Sequence, residues 1–466
     1  MLHIRRARAF ACVVVLGVVG AACSSSSSSK STSAPTTSGA AATSAAPTTV
    51  AGGTATSTAP STPDVSTAPS GGLTAPSTES SDPAGAGGTT PTAGFVIPKE
   101  TGTADSSLSH VKIGFVNQSD GTPSFPGPLA AAKVAVDYIN NKLGGIGGHP
   151  VELVNCNTGL DPDSNQKCGQ QMVNDDSIQV ITTQFVLGSD AFWPVLEKAG
   201  LVGLEGTPLN TTDLTSPAAI AYSPGPGTVV GMADYAVKKL SAKSLTVVAE
   251  ANNGGQAVID LLKGATQLKG IDIKSVLAGG ADTDLAGALQ ANPADAYVLV
   301  TAAGTCTQVA KALEQIGSKK PVLAVSSCGD DAIRKEVGKQ VSGWYIAAPS
   351  VLPGLTSTDP ELALYEATMT AAKQTDAITL TAASQTFGQF VTLWQLGNQI
   401  GADKLSRATW KDALLKETGP VFLGPRRLSC LLPGLPALCT TELRIMQITD
   451  KGLADVVPGP YDAYKS

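Results

Sequence analysis

The residues best placed to do chemistry in this 466-residue chain are its cysteines, of which there are eight. Cys12 lies inside an apolar run and Cys23 closes it. The other six fall into sequence-near groups, Cys156 with Cys168, Cys306 with Cys328, and Cys430 with Cys439. An even remainder in an exported chain points to disulfides, and the grouping favours those three pairs among the connectivities six cysteines allow. Loops this short should each stabilise the fold by roughly 3 kcal/mol. No CxxC spacing suggests a zinc site. Histidine is scarce, so a Ser-His-Asp triad or a His-centred metal cluster would have to be built from His110 and His149, both near strand boundaries. Ser189-Asp190 and Asp330-Asp331 read as helix-start residues whose oxygens cap free amides, and Asp175-Asp176 as a solvated helix end. Neither catalysis nor a cofactor or metal is expected.

What surrounds Cys23 gives that thiol a different role. Arg5, Arg6 and Arg8 form a positive segment before the uncharged run Ala9 to Ala22, which at 14 residues is shorter than the roughly 20 a membrane helix needs. Residues 1–23 therefore read as a signal peptide. Gly20-Ala21-Ala22 before Cys23 resembles a bacterial lipobox, which implies acylation of the Cys23 thiol; Gly20 stands where the motif prefers leucine. From Ser24 to Gly94, 64 of 71 residues are Ser, Thr, Ala, Gly or Pro and none is aromatic. Such a segment buries too little apolar area to offset its ordering entropy, so 24–108 is expected to be a disordered tether. Without the leader's arginines the net charge is -9, and an acidic chain is a poor partner for a phosphate backbone, so no nucleic acid is expected.

From about Ser109, short β-branched runs alternate with amphipathic stretches. Strands are expected at Val111–Asn117, Val151–Cys156, Ile178–Phe185, Leu201–Glu205, Leu245–Glu250, Ile273–Ala278, Ala296–Ala302, Val322–Ser326 and Trp344–Ala348, most of them continuously apolar as in parallel sheets covered on both faces. The alternation specifies an α/β fold of two doubly wound parallel-sheet lobes. Ser223-Pro224-Gly225-Pro226-Gly227 interrupts it and reads as a link between lobes. After Ala348-Pro349 the pattern turns helical and closes with the strand Leu443–Thr449. Three hinge crossings follow, near 222–227, 347–352 and 422–427. The N-terminal lobe is expected to hold 109–226 plus 350–425 and the C-terminal lobe 227–349 plus 426–466.

Within this frame, Val111-Lys112-Ile113-Gly114-Phe115 opens the domain, and Ala135–Asn140 is followed by Gly144-Gly145-Ile146-Gly147-Gly148, Pro150–Leu153 and Asp161-Pro162. That succession resembles the branched-chain amino-acid-binding (leucine-binding-like) family of ABC-transporter substrate-binding lipoproteins, which have the periplasmic-binding-protein type I fold. The likeness extends through Leu187–Gly200, Thr207–Thr215 and Gly304–Gly317. The glycines after Asn140 follow a helix and precede a strand, so they suit a left-handed helix cap and not a dinucleotide turn.

Ligands of open α/β sheets sit outside the carboxyl ends of strands, and a two-lobed clamp sets two such ends facing each other. Lobe one should offer Thr122, Val186, Gly188, Ser189, Thr207 and Asn210; lobe two should offer Asn252, Thr305, Ser327 and Asp330. The resemblance implies a serine at the third strand end and a threonine with backbone amides at the fourth, holding a ligand carboxylate; Val186 stands at that serine position. It also implies a tyrosine and an acid around a ligand ammonium, where this chain has Ala302-Ala303 and Cys328, with Asp330 and Asp331 just beyond. The expected function is an extracytoplasmic solute-binding lipoprotein of an ABC importer: it is monomeric, anchored to the membrane, captures a small polar solute (a branched-chain amino acid or related compound) by hinge closure, and delivers it to a permease. The alternative is a sensing module of the same fold that signals to a membrane partner.

Overall fold

The computed structural model describes residues 95–121, 124–279, 284–355, 359–456 and 460–464. The expected leader, the expected acylation site Cys23, the expected tether up to Gly94, and Thr122 lie outside the described residues.

The first lobe begins with alternating β1 (Val111–Asn117), α1 (Pro126–Lys142), β2 (Val151–Asn157), α2 (Pro162–Asn174), β3 (Ile178–Thr183), α3 (Ser189–Lys198), β4 (Gly203–Glu205), α4 (Thr211–Thr215) and β5 (Ala219–Ala221). Its five strands are parallel, in the order β2-β1-β3-β4-β5. The central strands β1 and β3 are buried along most of their length because helices cover both faces, whereas edge strand β2 keeps half-exposed positions. β5 was not expected: three residues between Pro217 and Pro224 are too few to show a period.

The second lobe continues with α5 (Gly227–Leu240), β6 (Ser244–Glu250), α6 (Asn253–Gly264), β7 (Asp272–Ala278), α7 (Leu285–Ala291), β8 (Ala296–Val300), α8 (Ala303–Gln315), β9 (Val322–Val325), α9 (Asp331–Val337) and β10 (Tyr345–Ala348). The chain then forms α10 (Pro360–Ala371), α11 (Thr375–Ile378), α12 (Thr381–Ile400) and α13 (Arg407–Lys416), and α12 packs along α1 through the Tyr138–Phe387 ring contact. It returns to the second sheet as β11 (Arg444–Thr449) and β12 (Gly452–Asp455), giving the order β12-β11-β10-β9-β8-β6-β7. β11 and β12 run antiparallel, so this sheet is mixed at one edge, which the reading of parallel strands alone did not include.

The chain thus passes between the sheets after β5, after β10 and after α13. The second and third passages are tied by the Val351 amide, which donates to the Leu423 carbonyl at 2.9 Å. One apolar cluster runs from Ile139, Phe390 and Trp410 through Val351 and Phe422 to Leu299 and Ile346. The three cysteine pairs are disulfides, with Cα separations of 5.6, 5.5 and 3.7 Å. The loop closed by Cys430 and Cys439 lies against the first passage, where the Ala221 amide donates to the Ala437 carbonyl and the Cys439 amide to Ala221.

The turn from α1 into β2 needs glycine for two reasons. Gly144 and Gly145 both have left-handed φ, +70° and +71°, and a Cβ on Gly145 would lie 2.0 Å from the His149 carbonyl oxygen.

Candidate functional site

The loops at the carboxyl ends of the parallel strands form a rim on each lobe. In the first lobe the organiser is Asn117, fully buried at the end of β1. Its Nδ2 donates to Ser119 Oγ at 2.9 Å and to the Phe125 carbonyl at 2.8 Å, and its Oδ1 accepts from the Phe185 amide at 3.1 Å. The Gln118 amide also donates to the Phe185 carbonyl. These bonds hold the loops after β1 and β3 together and set the half-buried rings of Phe125 and Phe185 side by side, centroids 4.2 Å apart. Phe125 escaped the sequence reading; a Ser-Phe-Pro step at a helix start gives no sign that its ring meets one sixty residues away.

The loop after β4 is held by amide side chains. Gln184 Nε2 donates to Thr207 Oγ1 at 2.7 Å and to Gln385 Oε1 at 3.0 Å, and Gln385 Nε2 donates to the Gly206 carbonyl at 2.6 Å. Asn210 caps α4: its Oδ1 accepts from the Asp213 amide, while its Nδ2 donates to Ser189 Oγ at 2.6 Å. The Asp213 carboxylate in turn accepts from Trp193 Nε1 and from the amides of Leu209 and Asn210. Ser189 and Asn210 are therefore brought together, with Ser189 fully buried. Val186 packs in the core among residues that include Cys168 and Trp193, and Asn165 occupies the space a side chain on Gly188 would need. Thr207 and Asn210 stay half-buried at the rim, beside the exposed Leu209.

In the second lobe, Glu250 at the end of β6 accepts from the Ala302 amide at 2.7 Å and so links the loops after β6 and β8. Ser327 Oγ donates to the Thr301 carbonyl at 2.9 Å and ties the loops after β8 and β9, and the Cys306–Cys328 disulfide joins the first turn of α8 to the loop after β9. Asn252 is exposed and caps α6 by accepting from the Gly255 amide, and Thr305 is buried in the first turn of α8. Asp330 precedes α9 without capping it by a side-chain bond. Burial pushes its carboxyl up to about 7, against the pull of the Arg334 guanidinium. Neither Glu250 nor the glutamines were singled out from sequence, because their partners lie on other elements. Among the described residues no group of three or more His, Cys, Asp or Glu side chains is placed to hold a metal ion, and no helix is long and apolar enough to cross a membrane.

The family profile described as periplasmic binding protein matches residues 110–426. The chain belongs to that family. No curated protein matches it. Among solved structures, a branched-chain amino acid ABC transporter from Thermus thermophilus with bound valine is similar at a TM-score of 0.65 and 14% identity, over 77% of this chain and 99% of that one. A fatty acid ABC transporter substrate-binding protein from Thermomonospora curvata is similar at 0.64 and 16%, over 79% and 96%. A solute-binding protein from R. palustris in complex with 4-hydroxybenzoate is similar at 0.61 and 16%, over 76% and 97%. At such identities the likeness is one of fold, and it places this periplasmic binding protein among the type I architectures with two parallel-sheet lobes.

Proposed function

We propose that this periplasmic binding protein is the extracytoplasmic, lipid-anchored solute receptor of an ABC importer, working as a monomer and without catalysis. In this reading 1–23 is the signal peptide, Cys23 carries the lipid, and the tether runs from 24 to 94 and not to 108, because Phe95 packs against Phe422 in the core and the Ala104 amide donates to the Asn140 carbonyl. Residues 109–226 plus 350–425 and 227–349 plus 426–466 are the closing lobes. The observation that carries the reading is the pair of rims at strand carboxyl ends, on two sheets connected by three chain passages. A solute that touches both rims prefers the closed form, and only such differential affinity shifts a hinge equilibrium.

The rim chemistry narrows the solute. Phe125 and Phe185 offer an apolar wall on the first lobe; Thr207, Asn210, Asn252, Ser327 and Asp330 offer the polar partners. This favours a small molecule with both an apolar part and a polar head. The similar structures named for valine, fatty acid and 4-hydroxybenzoate are carriers for solutes of that mixed kind. The test is a thermal-shift screen of aliphatic and aromatic carboxylates, amino acids and their amides, followed by scattering with the best binder. A true solute raises the melting temperature through preferential binding to the native form and shrinks the particle. Phe185→Ala should weaken binding by about tenfold, the equivalent of losing ~1.4 kcal/mol of aromatic contact. Unchanged dimensions with a verified tight binder would sink the reading.

A further inference from the structure

Where the second and third passages run beside the first lobe, the structure forms a partly open pocket with space of about 30 Å³ for water. Glu205 at the end of β4, Gln389 on α12, Ser350 on the second passage, and Phe422 and Leu423 on the third are among its walls. Glu205, Gln389 and Ser350 are only 3%, 7% and 3% exposed, and Glu205 Oε2, Gln389 Oε1 and Ser350 Oγ have no hydrogen-bond partner among the described residues. A buried polar atom left so costs about 1–3 kcal/mol, and three around one cavity point to an occupant that satisfies them together.

Size and charge choose the occupant. A space of this volume admits one or two waters and excludes an organic solute. Asp213 accepts from Trp193 Nε1 and from the amides of Leu209 and Asn210. The neighbouring Glu205 is fully buried, and that burial together with the Asp213 charge pushes its carboxyl well above the ordinary range. Both effects favour the protonated form of Glu205, whose Oε2 is left as an acceptor. Around the cavity stand two acceptors and one hydroxyl. A water molecule has two protons to give and a lone pair to receive the third bond, whereas a cation would find no formal negative charge there.

We propose that this cavity holds a resident water that donates to Glu205 Oε2 and Gln389 Oε1 and accepts from Ser350 Oγ, pinning the second passage to the first lobe. Because the Val351 amide bonds the Leu423 carbonyl, the pin holds the third passage as well. The site concerns the hinge itself and does not depend on which solute the rims take.

A high-resolution crystal structure of the purified protein should show a peak at hydrogen-bond distance, roughly 2.7–3.2 Å, from all three oxygens. An empty cavity, or a peak at the roughly 2.3–2.6 Å of a calcium ion, overturns the proposal. Ser350→Ala removes the only donor to that water and should speed amide exchange at Val351 about fivefold, the effect of one lost hydrogen bond, without altering exchange in β6. Glu205→Gln keeps a neutral side chain with one free oxygen and should leave both the peak and the exchange rate in place. Unchanged exchange at Val351 in Ser350→Ala, or loss of the peak in Glu205→Gln, would refute the assignment.

Discussion

Replacing Asp330 by asparagine should flatten the pH dependence of stability across the acid to neutral range. Burial lifts the folded carboxyl from 3.8 to about 7. The unfolded chain releases this proton near the lower value, so between the two the folded state holds more protons than the unfolded one. The stability associated with the bound proton is fully present below about pH 4, declines as pH rises, and is gone above about pH 7. About three units at ~1.4 kcal/mol each sets an upper bound near 4 kcal/mol. Asp330 is only half-buried and Arg334 lies close by, so solvent screening reduces this to about 2 kcal/mol. The assay is urea unfolding of the native and Asp330→Asn proteins at matched pH values from about 4 to 8. Subtracting one curve from the other cancels Glu205 and every other shared group. The native protein should lose about 2 kcal/mol relative to the variant over that range. Parallel curves would show that Asp330 titrates normally and that the loop after β9 does not desolvate it. If Asp330 also faces the solute, a ligand bearing an ammonium should bind more tightly as pH rises through 7, and Asp330→Asn should abolish that trend.

Two further outcomes test how the rim and the first turn are built. Asn117→Ala leaves the Phe185 amide and the Phe125 carbonyl without their partner, and should cost about 2–3 kcal/mol in chemical denaturation and loosen the aromatic pair, read as weaker solute binding. Gly145→Ala should destabilise the protein by more than Gly200→Ala. Both positions have left-handed φ, worth ~1–2 kcal/mol against alanine, but only at Gly145 does the new Cβ meet backbone; equal losses in a thermal melt would contradict that close approach.

The alternation of apolar runs with amphipathic ones was enough to read two parallel-sheet lobes, because strands covered on both faces must be apolar along their whole length. Proximity along the chain likewise sufficed for the cysteine pairs, since short loops bring their ends together at little entropic cost. β5, α7 and β12 were not legible: three to seven residues are too few to display a period. Within the site, the expected strand ends proved to contain residues with opposite fates. Val186 and Ser189 turn into the core, while Asn210 and Ser327 spend hydrogen bonds on neighbouring loops.

The chain's local patterns determined that strands, helices and disulfides would occur and in what order, since propensity, periodicity and loop closure act over a few residues. Only the tertiary structure decided that Phe125 meets Phe185, that Gln385 reaches Gly206, and that Glu205, Gln389 and Ser350 surround one cavity. Those juxtapositions join residues up to 184 positions apart, and which side chains converge there depends on how helices and sheets pack, a property that no stretch of sequence carries alone.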